Sequence, residues 1–364
     1  MAVRPCLFVW TVILLITEMM GDAGAASHIN YTTVTGFFLQ DDPRTNPSTF
    51  DYTTENFGLI NQTYDTDARF DPYHDKTPWQ RFEHKVKVLN QECGKNTQYK
   101  VLYMGRHGQG LHNVAEDYYG TEAWDCYWSL KDGNGTVTWA DAHLTESGIQ
   151  QAKVANNFWA TELEVQKIPA PQKYYVSPLF RCLATADITF KGLDLPKGQP
   201  FVPTIKELLR ETIGIHTCDR RSSRTYIHSN YPTYPFERNF AEDDPLWSAT
   251  YRETDSAQTV RMKALLDDIF TSTSSTWISF TTHSGAIAAI LRAIGHRTFS
   301  LTTGAVIPVL VKAEIIAGSA PEVTTEPWTT VATCTALEPT TSSTSISAPA
   351  LVEAEATTTV MRPN

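Results

Sequence analysis

The chain has 364 residues, 41% of them hydrophobic and 11% aromatic, enough apolar material for a developed core and too much for a disordered chain. Its 40 acidic against 30 basic side chains give a formal charge of −10, which excludes the broad basic face that nucleic-acid binding needs. Any anion site must therefore be a local gathering of arginines against an acidic background.

The N-terminus reads as a secretory signal peptide over residues 1–25. Arg4 supplies the positive region, Leu7 to Ile16 the apolar stretch, and Ala23-Gly24-Ala25 a small-residue cleavage site. Glu18 and Asp22 interrupt the apolar run before it reaches spanning length, and the C-terminal "TTTVMRPN" lacks the apolar tail of a lipid-anchor signal. The expected product is secreted, extracellular or in a cell wall, with no stable membrane anchor. Sequons at Asn30, Asn61 and Asn134 suit a glycosylated surface.

Residues 26–97 are polar and turn-rich, with "DDPRTNPSTFDYTTENFG" as their core text, and are expected to form an irregular wrap on the domain that follows. Residues 98–316 alternate strand and helix signals. The apolar runs "KVLYM" (Lys100 to Met104), "KYYVS" (Lys173 to Ser177), "WISFTT" (Trp277 to Thr282) and "AVIPVLVKA" (Ala305 to Ala313) read as core strands. Between the first two, Ile149, Ala152, Ala155, Trp159 and Leu163 share one helical face, with Thr145 placed as its N-cap. Strands separated by helices imply an α/β fold with a mostly parallel sheet covered on both faces. Residues 317–364, rich in Ser, Thr, Ala and Pro, are expected to be a flexible tail.

Five cysteines follow the cleavage site: Cys93, Cys126, Cys182, Cys218 and Cys334. At most two bridges can form, and spacing does not fix the pairing. The sequence shows no paired Cys-x-x-Cys and no His-Glu-x-x-His, so no metal and no cofactor is expected.

In parallel sheets ligands bind outside the carboxyl ends of the strands. There "VLYMGRHGQGLHN" places Arg106 and His107, with Gly108 and Gly110 turning the chain into a helix whose N-terminus is an anion site. With no metal ligand nearby, a neutral His107 facing a phosphoryl group can act as a nucleophile. "VSPLFRCLATA" places Arg181 on the first turn of a helix behind Ser177, and "WISFTTHSGAIAAIL" ends a strand in His283. His112 and His216 read as hydrogen-bonded scaffold histidines, and Cys182 as a packed core thiol. Arg220, Arg221 and Arg224 in "CDRRSSR" either recognise an anionic part of a substrate or pair with surplus acids.

Arg106-His107-Gly108 with Asn113, "LTESGIQQA" (Leu144 to Ala152), "SPLFRCLATA" (Ser177 to Ala186) and "THSGAI" (Thr282 to Ile287) together resemble the histidine phosphatase, or phosphoglycerate mutase-like, superfamily. "GRHGQGLHN", "ETIGIHTCDRRS" and "TGAVIPVLVKA" are similar to its fungal phosphomutase-like branch, and the resemblance covers roughly Gly36 to Ala313. It implies a three-layer αβα sandwich with His107 as nucleophile, forming phosphohistidine, and with Arg106, Arg181 and His283 around the phosphoryl oxygens. It further implies a phosphate contact from Asn113 and a proton donor in Glu211. Arg220 and Arg221 are candidate substrate contacts. His283 is expected charged when it donates to phosphate, and His107 neutral. The implied substrate is a phosphorylated small molecule, and the expected activity is a secreted phosphomonoesterase. A phosphomutase, or an idle binding protein that keeps the pocket, are the alternatives.

Overall fold

The computed structural model describes residues 26–334. In chain order the main elements are β1 (Ser27–Thr33), α1 (Asp67–Phe70), α2 (Pro78–Glu92), β2 (Thr97–Arg106), α3 (Leu111–Tyr119) and α4 (Thr121–Cys126). Then come α5 (Glu146–Thr161), β3 (Lys173–Val176), α6 (Phe180–Phe190), β4 (Thr204–Ile205), α7 (Arg224–Asn230) and β5 (Tyr251–Arg252). The chain continues through α8 (Asp255–Ser272), β6 (Trp277–Thr282), α9 (Ser284–Ala293), β7 (Val306–Ala317) and β8 (Thr329–Thr330).

Six strands form one sheet in the order β1-β7-β2-β6-β3-β4. β2, β6, β3 and β4 run parallel, while β7 is antiparallel to both β1 and β2. Side chains alternate across the sheet because successive strand residues point to opposite faces. Leu102 and Met104 of β2 join Met262, Leu265 and Ile269 of α8 and Ile287 and Ile290 of α9 in one core. Val101 and Tyr103 join Trp79, Phe82 and Val86 of α2 and Ala155 and Trp159 of α5 in the other. Two apolar faces, each covered by helices, make the expected three layers. The α5 N-terminus is capped as its sequence predicts: Thr145 Oγ1 accepts the Gly148 N–H at 3.1 Å.

The N-terminal region differs from the expected irregular wrap. β1 is a sheet strand, with Tyr31 opposite Ala313 of β7. α2 is a 15-residue helix begun by a Thr77/Gln80 capping box with Pro78 in its first turn. Phe38, Tyr52, Phe57 and Tyr64 are buried with the α2 aromatics in the second core. Where β1 leaves β7, Gln40 takes over its role, its Nε2 donating to the Pro308 carbonyl at 2.7 Å. The boundary expected at 97/98 therefore cuts through a single core.

The expected flexible tail also needs correction up to residue 334. The Gly318 N–H donates to the Ala26 carbonyl, the Glu326 carbonyl accepts from Thr254 Oγ1 at 3.0 Å, and β8 pairs with β5. Cys334 closes a disulfide with Cys126 at the end of α4, a sequence separation of 208. Cys93, Cys182 and Cys218 remain thiols. The strap from Gly318 to Cys334 thus joins two segments far apart in sequence, α4 and β5. The rest of the expected tail and the expected signal peptide lie outside the described residues. No described helix is long and apolar enough to cross a membrane. Asn30, Asn61 and Asn134 are all exposed.

A cross-link closing so long a loop is worth about 2–4 kcal/mol. The double variant Cys126→Ser/Cys334→Ser should lose that much unfolding free energy in urea titrations, with a lower midpoint and a slope that rises as the unlinked denatured chain exposes more surface. An unchanged midpoint would show that the strap contributes nothing to the fold.

Candidate active site

Strand pairing builds the site. Arg106 lies opposite Thr282 in the parallel β2/β6 ladder, so the next residue on each strand, His107 and His283, emerge side by side. The His107 N–H donates to the Thr282 carbonyl at 2.9 Å, its own carbonyl accepts the Gly304 N–H at 2.9 Å, and the two imidazole centroids are 5.1 Å apart. Gly108 and Gly148 pack so closely that a Cβ on either would strike the other segment's backbone, which presses the turn after His107 onto the start of α5. Gln151 Oε1 and Thr185 Oγ1 accept the Gln109 and Gly108 N–H groups at 2.7 and 3.0 Å. The motifs around Gly148 and Thr185 are therefore the bed on which the His107 turn lies.

His107 is 2% exposed, and its Nδ1 lies 2.7 Å from the Gly108 carbonyl. A carbonyl can only accept, so Nδ1 carries the proton and Nε2 is left with its lone pair. Burial, then Arg181 and Arg106, hold its pKa well below the usual histidine value, so the ring is neutral. Burial, then Arg181 and the neighbouring histidines, also hold the His283 pKa well below the usual value in the absence of an anion. His283 Nε2 lies 2.8 Å from Ser177 Oγ. Cys182 Sγ is 3.3 Å from His283 Nε2, and burial raises the thiol pKa, so Cys182 packs as expected and does not ionise.

Both arginines have one edge fixed. Arg181 is fully buried at the start of α6; its Nη1 donates to the Cys218 carbonyl at 2.6 Å and its Nη2 to Asp219 Oδ1 at 2.9 Å. Arg106 Nη1 donates to the Leu301 carbonyl at 2.7 Å. The Nε–H of each is buried with no partner among the described residues, as a donor reserved for an anion would be. Asp219 also lies 3.5 Å from Arg252 of β5, so the strap's partner strand reaches the group that fixes Arg181. His216, Cys218 and Asp219 bring one ligand atom each within 4.8 Å of one another. Arg181 and Arg252 already neutralise Asp219, and their charges oppose a cation there.

Glu211 joins the same pocket from the loop after β4. Its Oε1 accepts the Thr212 N–H at 2.9 Å and, at 3.4 Å each, Thr212 Oγ1 and Gln258 Nε2, while its Oε2 accepts only the Gly285 N–H at 3.0 Å and keeps a second lone pair. It is not paired with Arg210, which is buried against Glu207 and Asp244. Half-buried Glu116 of α3 is a second carboxyl near Arg106; burial, then Asp125, raises its pKa. Asn113 uses Oδ1 to accept the Gly110 N–H at 2.9 Å, capping α3 and leaving its amide N–H groups for a ligand.

The two candidate substrate arginines differ. Arg221 is 4% exposed and donates to Glu207, Ser222, Ala241, Glu242 and Asp243, so every guanidinium edge is spent on the protein and pairing with acids wins over anion recognition. Arg220 is part-exposed, bonds Asp132 through Nη2 at 2.8 Å and covers the Trp247 ring. The residue of this motif that does serve the site is Asp219, which sequence reasoning passed over. His112, expected as a hydrogen-bonded scaffold, has its centroid 5.4 Å from that of His107 and a buried Nδ1 with no partner.

The profile of the "Histidine phosphatase superfamily (branch 1)" matches residues 102–303. A "Probable phosphoglycerate mutase" of Arthroderma benhamiae is 60% identical over 295 residues, covering 81% of this chain and 88% of that one. "Phosphomutase-like protein 3" of Candida albicans is 35% identical over 285 residues, covering 78% and 80%. Among solved structures, "Mycobacterial hydrolase 1" aligns at 17% identity with a TM-score of 0.37, over 62% of this chain and 100% of that one.

Removing the partner of a buried guanidinium costs about 3–5 kcal/mol. Asp219→Ala should lose that much unfolding free energy, whereas Asp219→Asn, which keeps an acceptor for Arg181, should lose less. Urea titrations in which both variants match the parent would show that Asp219 does not fix Arg181.

Proposed function

Because the chain belongs to branch 1 of the histidine phosphatase superfamily, we propose that it is a phosphomonoesterase that works through a phosphohistidine on His107. The observation that carries this reading is the Nδ1–H bond from His107 to the Gly108 carbonyl, which leaves Nε2 as a neutral nucleophile beside two unpartnered arginine donors. Phosphatase or mutase chemistry is common to the superfamily, and both begin with the same first step.

In that step Nε2 attacks phosphorus, the bond from phosphorus to the ester oxygen breaks, and the leaving oxygen takes a proton from Glu211. The imidazole becomes cationic, and its Nδ1–H bond to the Gly108 carbonyl strengthens as charge develops. Arg106, Arg181 and His283 hold the three outer oxygens, whose charge is spread in a metaphosphate-like transition state. Water then attacks phosphorus, Glu211 takes its proton, and His107 leaves as neutral imidazole with inorganic phosphate as product. Asn113 contributes an amide donor at the α3 N-terminus.

The names of the two relatives favour a mutase as the second reading. A mutase must shield its phosphohistidine from water until a second hydroxyl accepts it. Between Gly318 and Cys334 the strap carries Glu322 and Glu326 but no Lys or Arg to close over a phosphorylated acid. That composition supports water as the acceptor. The Cys126–Cys334 disulfide supports secretion, since such bonds persist in oxidising compartments.

Purified protein should release phosphate from a panel of phosphomonoesters, and His107→Ala should lower turnover by roughly 10³-fold or more. His283→Ala should leave a measurable remainder. With 3-phosphoglycerate, with and without a bisphosphorylated primer, free phosphate should appear faster than the 2-phospho isomer. The reverse order would establish the mutase, and no product from any ester would favour an idle binding protein.

A further inference from the structure

His112 is unlike the other buried histidines. His107, His283 and His296 each engage a carbonyl, a hydroxyl or a carboxylate and His216 faces the Asp125 carboxylate at 3.7 Å, whereas the Nδ1 of His112 is buried with no partner among the described residues. The residue is 8% exposed, on the first turn of α3, and its ring lies 5.4 Å from that of His107 between centroids. Gly110 makes that position possible: a Cβ there would come within 2.7 Å of Nδ1 and 2.8 Å of Cε1. The ring also feels Arg181, His107, Arg106 and His216, in that order after burial, all of which keep it neutral. An unpaired buried polar group is destabilising, so a purely structural residue here would do better as an apolar ring of the same size.

We propose that His112 is a third substrate-contacting imidazole, donating a ring N–H to an oxygen of the phosphoryl group as that group moves onto His107. The inference rests on the phosphatase reading of the site but concerns binding, which can be measured apart from turnover. A neutral ring has one N–H to give and adds no net charge to a pocket that already holds two guanidiniums. A bound phosphoryl group supplies the acceptor that the protein does not.

The test compares the parent with His112→Phe, His112→Gln and Gly110→Ala. Orthovanadate affinity is read by intrinsic tryptophan fluorescence, stability by thermal melting, and kcat/KM with p-nitrophenyl phosphate. A lost hydrogen bond to a charged group corresponds to about a 10- to 100-fold loss of vanadate affinity in His112→Phe. Its melting temperature should be unchanged or raised, and kcat/KM should fall by about 100-fold. His112→Gln, which keeps an N–H, should recover part of the affinity. Gly110→Ala displaces the ring without deleting it, so it should weaken vanadate binding even if the phenylalanine variant fails to fold. Parental vanadate affinity in His112→Phe, or a lowered melting temperature with parental affinity, would overturn the proposal and make the residue structural. If the parent binds vanadate but hydrolyses no ester, the phosphatase reading falls while the affinity comparison still decides the role of His112. If the parent binds no vanadate, both fall.

Discussion

The parallel pairing of β2 with β6 is the constraint from which the site follows. Once Arg106 is fixed opposite Thr282, both histidines leave their strands at the same level, and the His107 N–H is committed to the Thr282 carbonyl. A slip of one residue would turn every core side chain of β2 to the wrong face, so the two apolar clusters enforce the register that sets the chemistry. The sheet thus positions His107 through core packing far from the phosphate, while the Gly108/Gly148 contact decides only where the chain goes next.

Charge balance is the second demand. Two guanidiniums lie largely out of water beside three imidazoles, and an uncompensated buried ion costs several kcal/mol. The protein meets this by fixing one edge of each arginine on a carbonyl or on Asp219, and by keeping His107, His112 and His283 neutral. Asp219 in turn faces Arg252 on β5, which pairs with the disulfide-anchored strap. A cross-link at residue 334 and the buried guanidinium of residue 181 are thereby parts of one connected structure. The arrangement leaves the two Nε–H groups, the His107 lone pair, the His112 Nδ1 and the Asn113 amide N–H groups as the unspent capacity of the pocket.

The parts that sequence reveals are those whose signal is local. β2, β3, β6 and β7 announce themselves as apolar runs, α5 by its capped amphipathic face, and the strand-end residues Arg106, His107, Arg181 and His283 by recurring at the carboxyl ends of those runs. The order of residues 26–97 and 317–334 is not legible in the sequence because polar, turn-rich text gives no sign of partners that lie 290 positions away, as between Ser27 and Ala317, or 208 away across the disulfide. The sequence leaves Arg221 open between anion recognition and pairing with acids, and only the tertiary fold that brings Glu207 to it decides. His112 shows the converse: its position in "GLHN" is plain, but only the packed structure reveals that its nitrogen has nothing to bond.

The central claim is that His107 Nε2 takes the phosphoryl group, and direct detection of that adduct tests it. The protein should be mixed with a fast phosphomonoester, quenched in alkali within milliseconds, digested, and sequenced by mass spectrometry under conditions that preserve the acid-labile P–N bond. The account predicts one phosphorylated peptide, carrying its added mass on His107 and absent from His107→Ala. Phosphate found on His112, His283 or Cys182 instead, or turnover with no trappable adduct at any quench time, would contradict it.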